Sequence, residues 1–285
     1  MPNGKNNIVL GKYTIIRGNH LKTYLKRQLN QSFKKNVILD GIAQNKVILA
    51  IDYNVRDPYF INDIYENDAM NFVHMVRFMA GIKNQNVYID LKEFVPYLDS
   101  AVSVSSSTIS SNSNIHNKYN TLFLDKKYFS QKRYNFDKLW EFLNGNTTKL
   151  ENRILSAVKW ISMSIEEENS EIALTELAFA FEGLLKKSKD VVINPSIQGQ
   201  ISEAVALIIG KNYSDRVKII SQFIDFYKYR SAIVHGAEKK DNVPDYFVML
   251  DLLRICIIWI TGKIKSKQWT SIDDFYDYID MKKFK

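Results

Sequence analysis

A chain of 285 residues that is 46% apolar, 25% charged and 13% aromatic holds enough hydrophobic material for a packed core, which excludes a wholly disordered protein. Its single cysteine, Cys256, excludes a disulfide framework, and His20, His74, His116 and His235 are too scattered for a zinc-ligand spacing, so neither metal nor cofactor is expected. The formal net charge of +8 lies wholly in the first half, where residues 1–150 carry 20 Lys/Arg against 12 Asp/Glu while residues 151–285 carry 19 against 19. Such a local excess attracts polyanions, nucleic acid among them, although many basic surfaces are simply solvated.

The N-terminus MPNGKNNIVLGKY has no secretory-signal pattern, and the most apolar stretch, Tyr246 to Ile260, is interrupted by Asp251 and Arg254, so a soluble cytoplasmic protein without membrane contact is expected. The length predicts two domains. Residues 1–146 read as mixed α and β, with short β-rich runs at Tyr13–Ile16, Val37–Leu39, Val47–Ile51, Val87–Leu91 and Thr121–Leu124. Between them, Phe72, Val76, Met79 and Ala80 recur at helical spacing and predict a helix over 67–79 whose apolar face is core, with His74 and Arg77 facing elsewhere. Residues 100–120, rich in Ser and Asn, predict a loop in which His116 is solvated rather than a ligand. A short helix over 137–143 then leads into Asn144–Thr148, the best linker in the chain and the expected domain boundary.

Residues 147–285 read as almost purely helical, which gives an α+β fold class: a mixed α/β first domain followed by an all-α bundle. Ile154, Val158, Ile161 and Ile165 mark a helix over 150–167; Ile172 to Leu185 a second, ended before Asn194-Pro195; Ile197 to Gly210 a third. A fourth begins near Tyr213 with Ser214 as candidate N-cap and continues to Tyr227. A fifth, over 244–261, is apolar on most sides and belongs at a bundle centre or an oligomer interface; a short aromatic helix follows over 271–281.

The chemistry-bearing segment is FYKYRSAIVHGAEKK, Phe226 to Lys240, expected between the fourth and fifth helices, with Arg230 and His235 separated by four residues. The spacing alone is a weak signal. Arg230 also has ordinary uses, such as pairing with Glu182 or Asp225, and a histidine before glycine also caps a helix. Glu182, amid Phe179, Ala180, Phe181, Leu184 and Leu185, either pairs with Arg230 and orients it or points to solvent beside Lys186; Tyr227 and Tyr229 either pack or stack on bases.

In context, YRSAIVHG (Tyr229–Gly236), RILSAVKWI (Arg153–Ile161) and ALTELAFAFEGLL (Ala173–Leu185) resemble the HEPN superfamily, and in particular the HEPN domains of ApeA-like anti-phage proteins, over about residues 150–265. The resemblance implies metal-independent RNA cleavage by a homodimer formed through the C-terminal half, with a defence or toxin role. The substrate would be RNA, tRNA among the candidates, and a phage-derived trigger or an antitoxin is left unidentified. It implies Arg230 and His235 as the catalytic pair, supported by Ser231, Glu182 and Tyr229. An imidazole with a pKa of about 6.5 is suited to take the proton of a ribose 2′-OH, and a guanidinium presents a planar fork to a phosphate gaining charge. Two residues depart from the family pattern. Ser231 stands where many HEPN ribonucleases carry Asn, Asp or His, and Ala237 stands where toxins silenced by nucleotidyl transfer carry Tyr. The alternative is a non-catalytic HEPN module that dimerises or holds nucleotide or RNA.

Overall fold

The computed structural model describes residues 7–17, 20, 47–51, 61–81, 97–98, 101–102, 129–187, 196–236 and 243–283. Strands β1 (Ile8–Leu10), β2 (Tyr13–Arg17) and β3 (Val47–Ile51) form an antiparallel sheet in the order β1-β2-β3, and β4 (Tyr97–Leu98) pairs with β5 (Ala101–Val102). The helices are α1 (Ile61–Gly81), α2 (Phe136–Asn144), α3 (Lys149–Glu166), α4 (Ser170–Leu185), α5 (Ile197–Ile209), α6 (Tyr213–His235), α7 (Tyr246–Lys265) and α8 (Ile272–Lys283). The described chain is therefore predominantly helical with a small β component, a coarse α+β composition.

Two of the five expected β runs, at 13–16 and 47–51, are strands; those at 37–39, 87–91 and 121–124 lie outside the described residues. The Ser/Asn-rich stretch contains β5 at its start, and the remainder of it, His116 included, lies outside them as well.

The β1–β2 turn depends on Gly11, whose φ is +64°; a Cβ there would stand 2.1 Å from Asn144 Oδ1, the atom that accepts the Lys12 N–H at 2.8 Å. This close approach ties the sheet to the end of α2. Tyr13, Phe72, Phe129 and Trp140 then form one aromatic cluster with centroid separations of 5.3 Å for Tyr13–Phe72 and Phe129–Trp140 and 5.4 Å for Phe72–Trp140. Sheet, α1 and α2 thus share a core, which continues through Leu150, Ile154 and Ile161 into the bundle as a single buried cluster. The expected boundary at Asn144–Thr148 falls on the turn between α2 and α3, closed by a capping box in which Thr148 and Glu151 exchange side-chain and backbone hydrogen bonds.

His74 and Arg77 do not face away from the core, contrary to the sequence reading. Both lie on the buried interface of α1 with α3, at 6% and 3% exposure. Arg77 donates to Ser162 Oγ at 3.1 Å and pairs with Glu166, and Ser162 Oγ lies 2.8 Å from His74 Nδ1. Ser162 Oγ accepts from Arg77 and shares a hydrogen bond with His74 Nδ1, and the Arg77 charge is compensated by Glu166, so these buried polar groups satisfy one another. Apolar spacing does not reveal this, because it marks which face is buried and not which polar groups find partners there.

Helix α7 is the central element of the bundle. Met249, Leu250, Leu252, Leu253, Cys256, Ile257 and Ile260 are buried, and Phe247 and Ile255 remain exposed. Phe181 on α4 is fully buried edge-on to Phe223 of α6 at 4.8 Å, and Phe226 lies beside both, fixing α6 against α4.

Candidate functional site

Arg230 and His235 do not lie between two helices; they occupy the last two turns of α6, which runs unbroken to His235. Its N-cap is Asn212, whose side chain accepts the Asp215 N–H at 2.9 Å, in place of the expected Ser214. Its end is set by Gly236 at φ +63°, where the backbone N–H turns back to the carbonyls of Ala232 and Ile233. Only a residue at ease in the left-handed region ends a helix this way, so the glycine after the histidine fixes where the histidine is presented. The sequence pattern carries the fourth helix only to Tyr227 and so sets this segment between two helices; in the structure Ala232-Ile233-Val234 complete the final turn of α6.

Arg230 is directed inward. Its Nη2 lies 3.6 Å from Glu182 Oε1, an ion-pair separation too long for a hydrogen bond, and its guanidinium carbon sits 5.6 Å above the centroid of Phe179. Both charged side chains are about one-fifth exposed, at 22% and 20%. Among the described residues, the buried Arg230 Nε and Tyr227 hydroxyl have no hydrogen-bond partner. Tyr227 has its phenol pushed well above the usual range by burial, with the Glu182 carboxylate adding to the rise and Arg230 opposing it. Glu182, Tyr227 and Arg230 therefore form a semi-buried polar cluster over an aromatic floor, with donor capacity left over. Phe179 is the member sequence reasoning missed; its signal was the helical spacing of three from Glu182.

His235 is exposed, as is Ser231, whereas Tyr229 is buried in the bundle and packs rather than presenting a stacking face. Five residues of α-helix turn through about 140° beyond a full circle and advance about 7.5 Å, so within one chain Arg230 and His235 face different sides of α6. The structure joins Glu182 to Arg230 and leaves His235 apart from them. Exposed Val234 beside His235, and exposed Val243 and Phe247 at the start of α7, bracket the α6–α7 connection with apolar surface.

A separate cleft of about 350 Å³ lies where the end of α3 meets the starts of α4 and α7, lined by Ser164, Glu167, Glu168, Tyr246, Phe247 and Arg254 among others. None of the predicted site residues lines it. Among the described residues no three His, Cys, Asp or Glu side chains gather as a metal site, and no helix is long and apolar enough to cross a membrane.

No known family model matches the chain, and comparisons with curated proteins and with solved structures find no match.

Proposed function

We propose that this chain is a HEPN-like endoribonuclease that cleaves RNA without a metal, with Arg230 and His235 as the reacting pair. The observation that carries the reading is the Arg230 cluster. Its guanidinium is held by Glu182 and Phe179 without a hydrogen bond to either, so its donors remain available to a phosphate.

In the proposed reaction His235 takes the proton from the ribose 2′-OH and the 2′-oxygen attacks the adjacent phosphorus. The bond from phosphorus to the 5′-oxygen breaks, and that oxygen leaves with a proton from an acid. The products are a 2′,3′-cyclic phosphate and a 5′-OH. Arg230 stabilises the charge that grows on the non-bridging oxygens. One chain supplies one imidazole, on a different side of α6 from its own arginine. A homodimer in which two α6 ends face each other supplies both an imidazole base and an imidazolium acid, and the exposed Val234, Val243 and Phe247 suit such an interface.

The separation of Arg230 and His235 around α6 also favours a second reading, in which the same end of α6 binds RNA or nucleotide in a non-catalytic adaptor. Incubation of the purified protein with total RNA in EDTA distinguishes them. The enzyme reading requires new 2′,3′-cyclic phosphate ends, lost when the scissile nucleotide carries 2′-O-methyl; intact RNA bound to the protein supports the adaptor.

A further inference from the structure

The second half of the chain has no net charge, yet several of its cations gather where α7 ends and α8 packs beside it. The last turn of α7 carries Lys263 and Lys265, the connection to α8 carries Lys267, and the last turn of α8 carries Lys282 and Lys283, the latter paired with Glu203 and Asp280, while Asp273 and Asp274 open α8 next to that connection. Exposed Lys132 and Arg133, in a 3-10 turn just before α2, belong to the same end of the bundle. There, Asn135 Nδ2 donates to the Ile258 carbonyl at 3.0 Å, and Lys265 Nζ reaches Asp137 at 2.7 Å.

Cations at helix C-termini complement the helix dipole, which accounts for Lys263, Lys265 and Lys282. It does not account for exposed Lys267, held at φ +56° outside any helix, nor for the way the lysines are held. Lys263 Nζ lies 5.3 Å from the Trp259 centroid and 5.8 Å from that of Tyr278, and it donates to Gln268 Oε1 at 2.8 Å. Lys282 Nζ lies 5.6 Å from the same Tyr278 ring, and Arg133 lies 5.4 Å above Tyr134. Aromatic faces thus hold long cationic side chains that would otherwise lose rotamer freedom on meeting a phosphate. Trp259, Tyr278 and Tyr134 are themselves half-buried, Trp259 and Tyr278 packed on each other and on Trp269, and Tyr134 on Phe136, so the rings that steady the cations are fixed in place. The acids at this face are each near a partner or at its edge: Asp137 is engaged by Lys265, Asp274 accepts from Thr270 and Ser271, Asp280 is engaged by Lys187 and Lys283, and Asp273 and Asp277 are exposed.

We propose that this basic and aromatic end of the bundle, built from Lys132, Arg133, Lys263, Lys267 and Lys282, is a binding face for single-stranded RNA, one α7 length of about 30 Å from the end of α6, a span that an extended strand covers. The choice of RNA as the polyanion rests on the proposed function. Three of its five cations, Lys263, Lys267 and Lys282, belong to the half whose net charge is zero.

The test is fluorescence anisotropy of a labelled, unstructured RNA 20-mer with the full-length His235→Ala protein, titrated across NaCl concentrations. The triple variant Lys263→Gln/Lys267→Gln/Lys282→Gln should bind about 50-fold more weakly near 150 mM salt, and its log K against log salt slope should fall by about 2, from about 0.7 per phosphate contact on a single strand. The Lys→Arg version of the same triple should retain binding, which separates lost contacts from lost fold. A control triple elsewhere, Lys159→Gln/Lys211→Gln/Lys218→Gln, should change affinity far less. Unchanged affinity and slope in the first triple, with the parent binding RNA, overturns the face alone. A parent that binds no RNA even at low salt overturns the face together with the proposed function.

Discussion

Acidifying the protein from pH 7 to pH 4 should weaken the α1–α3 interface through His74. Burial is the first cause that holds its imidazole down to about 4 from the ordinary 6.5, and the neighbouring charges of Arg77 and Lys159 add to it. The folded state therefore binds this proton less readily than the unfolded chain does. The contribution to stability is fully present above pH 6.5, is lost as pH falls towards 4, and is flat below. A difference of that size corresponds to about 3 kcal/mol at most and more realistically to about 1–3 kcal/mol, because local opening lets water reach the ring. Urea unfolding of wild type and His74→Gln at several pH values measures it. The glutamine keeps a partner for Ser162 and cannot titrate, so its stability should fall less than that of wild type between pH 6.5 and 4 by this amount. Glu176, held above its usual range by burial and by Glu167, and Asp137 and Asp274, held below theirs, titrate in both proteins and cancel in the comparison. Identical pH dependence in the two proteins would refute the buried neutral imidazole.

The remaining predictions concern the end of α6 and its assembly. Tyr227→Phe removes a buried hydroxyl without a hydrogen-bond partner, so urea stability should be unchanged or slightly raised; a loss of stability of about 1 kcal/mol or more contradicts the reading. Glu182→Gln should lower cleavage without unfolding the protein, because it frees Arg230 from the charge that positions it, and phosphate binding at pH 7 should rise or hold while turnover drops. Gly236→Ala meets open space but must adopt φ +63°, so it should cost about 1 kcal/mol in a urea melt, and a neutral result would contradict the left-handed cap. Light scattering at micromolar concentration should give the mass of a dimer, and a monomer with full activity would contradict a two-chain site.

The helical half was legible because its apolar positions repeat at helical spacing. The expected 150–167, 197–210 and 244–261 segments correspond to Lys149–Glu166, Ile197–Ile209 and Tyr246–Lys265. Helix ends were less legible. Ser214 and Asn212 are both good caps, and only backbone geometry decides that the Asn212 side chain meets the Asp215 N–H. The Arg230–Glu182 pairing was readable as a lone acid on an apolar helix face that needed a partner. The phase between Arg230 and His235 was not, since it depends on α6 continuing through Ala232–Val234 rather than stopping at Tyr227. The His74–Ser162–Arg77–Glu166 chain was illegible for another reason: its members are 85 to 89 residues apart in sequence across the α1–α3 contact, and no local pattern reports a partner at that distance.

The most direct test of the central claim is the cleavage rate of a labelled RNA in EDTA by wild type and by His235→Ala, with the two proteins matched for folding. His235 is exposed in the last turn of α6, so its truncation leaves the core intact. The account predicts a loss of about 10²–10⁴ in rate, the range of general acid and base catalysis, with any residual product still ending in a 2′,3′-cyclic phosphate. Cleavage by His235→Ala at the wild-type rate would contradict it.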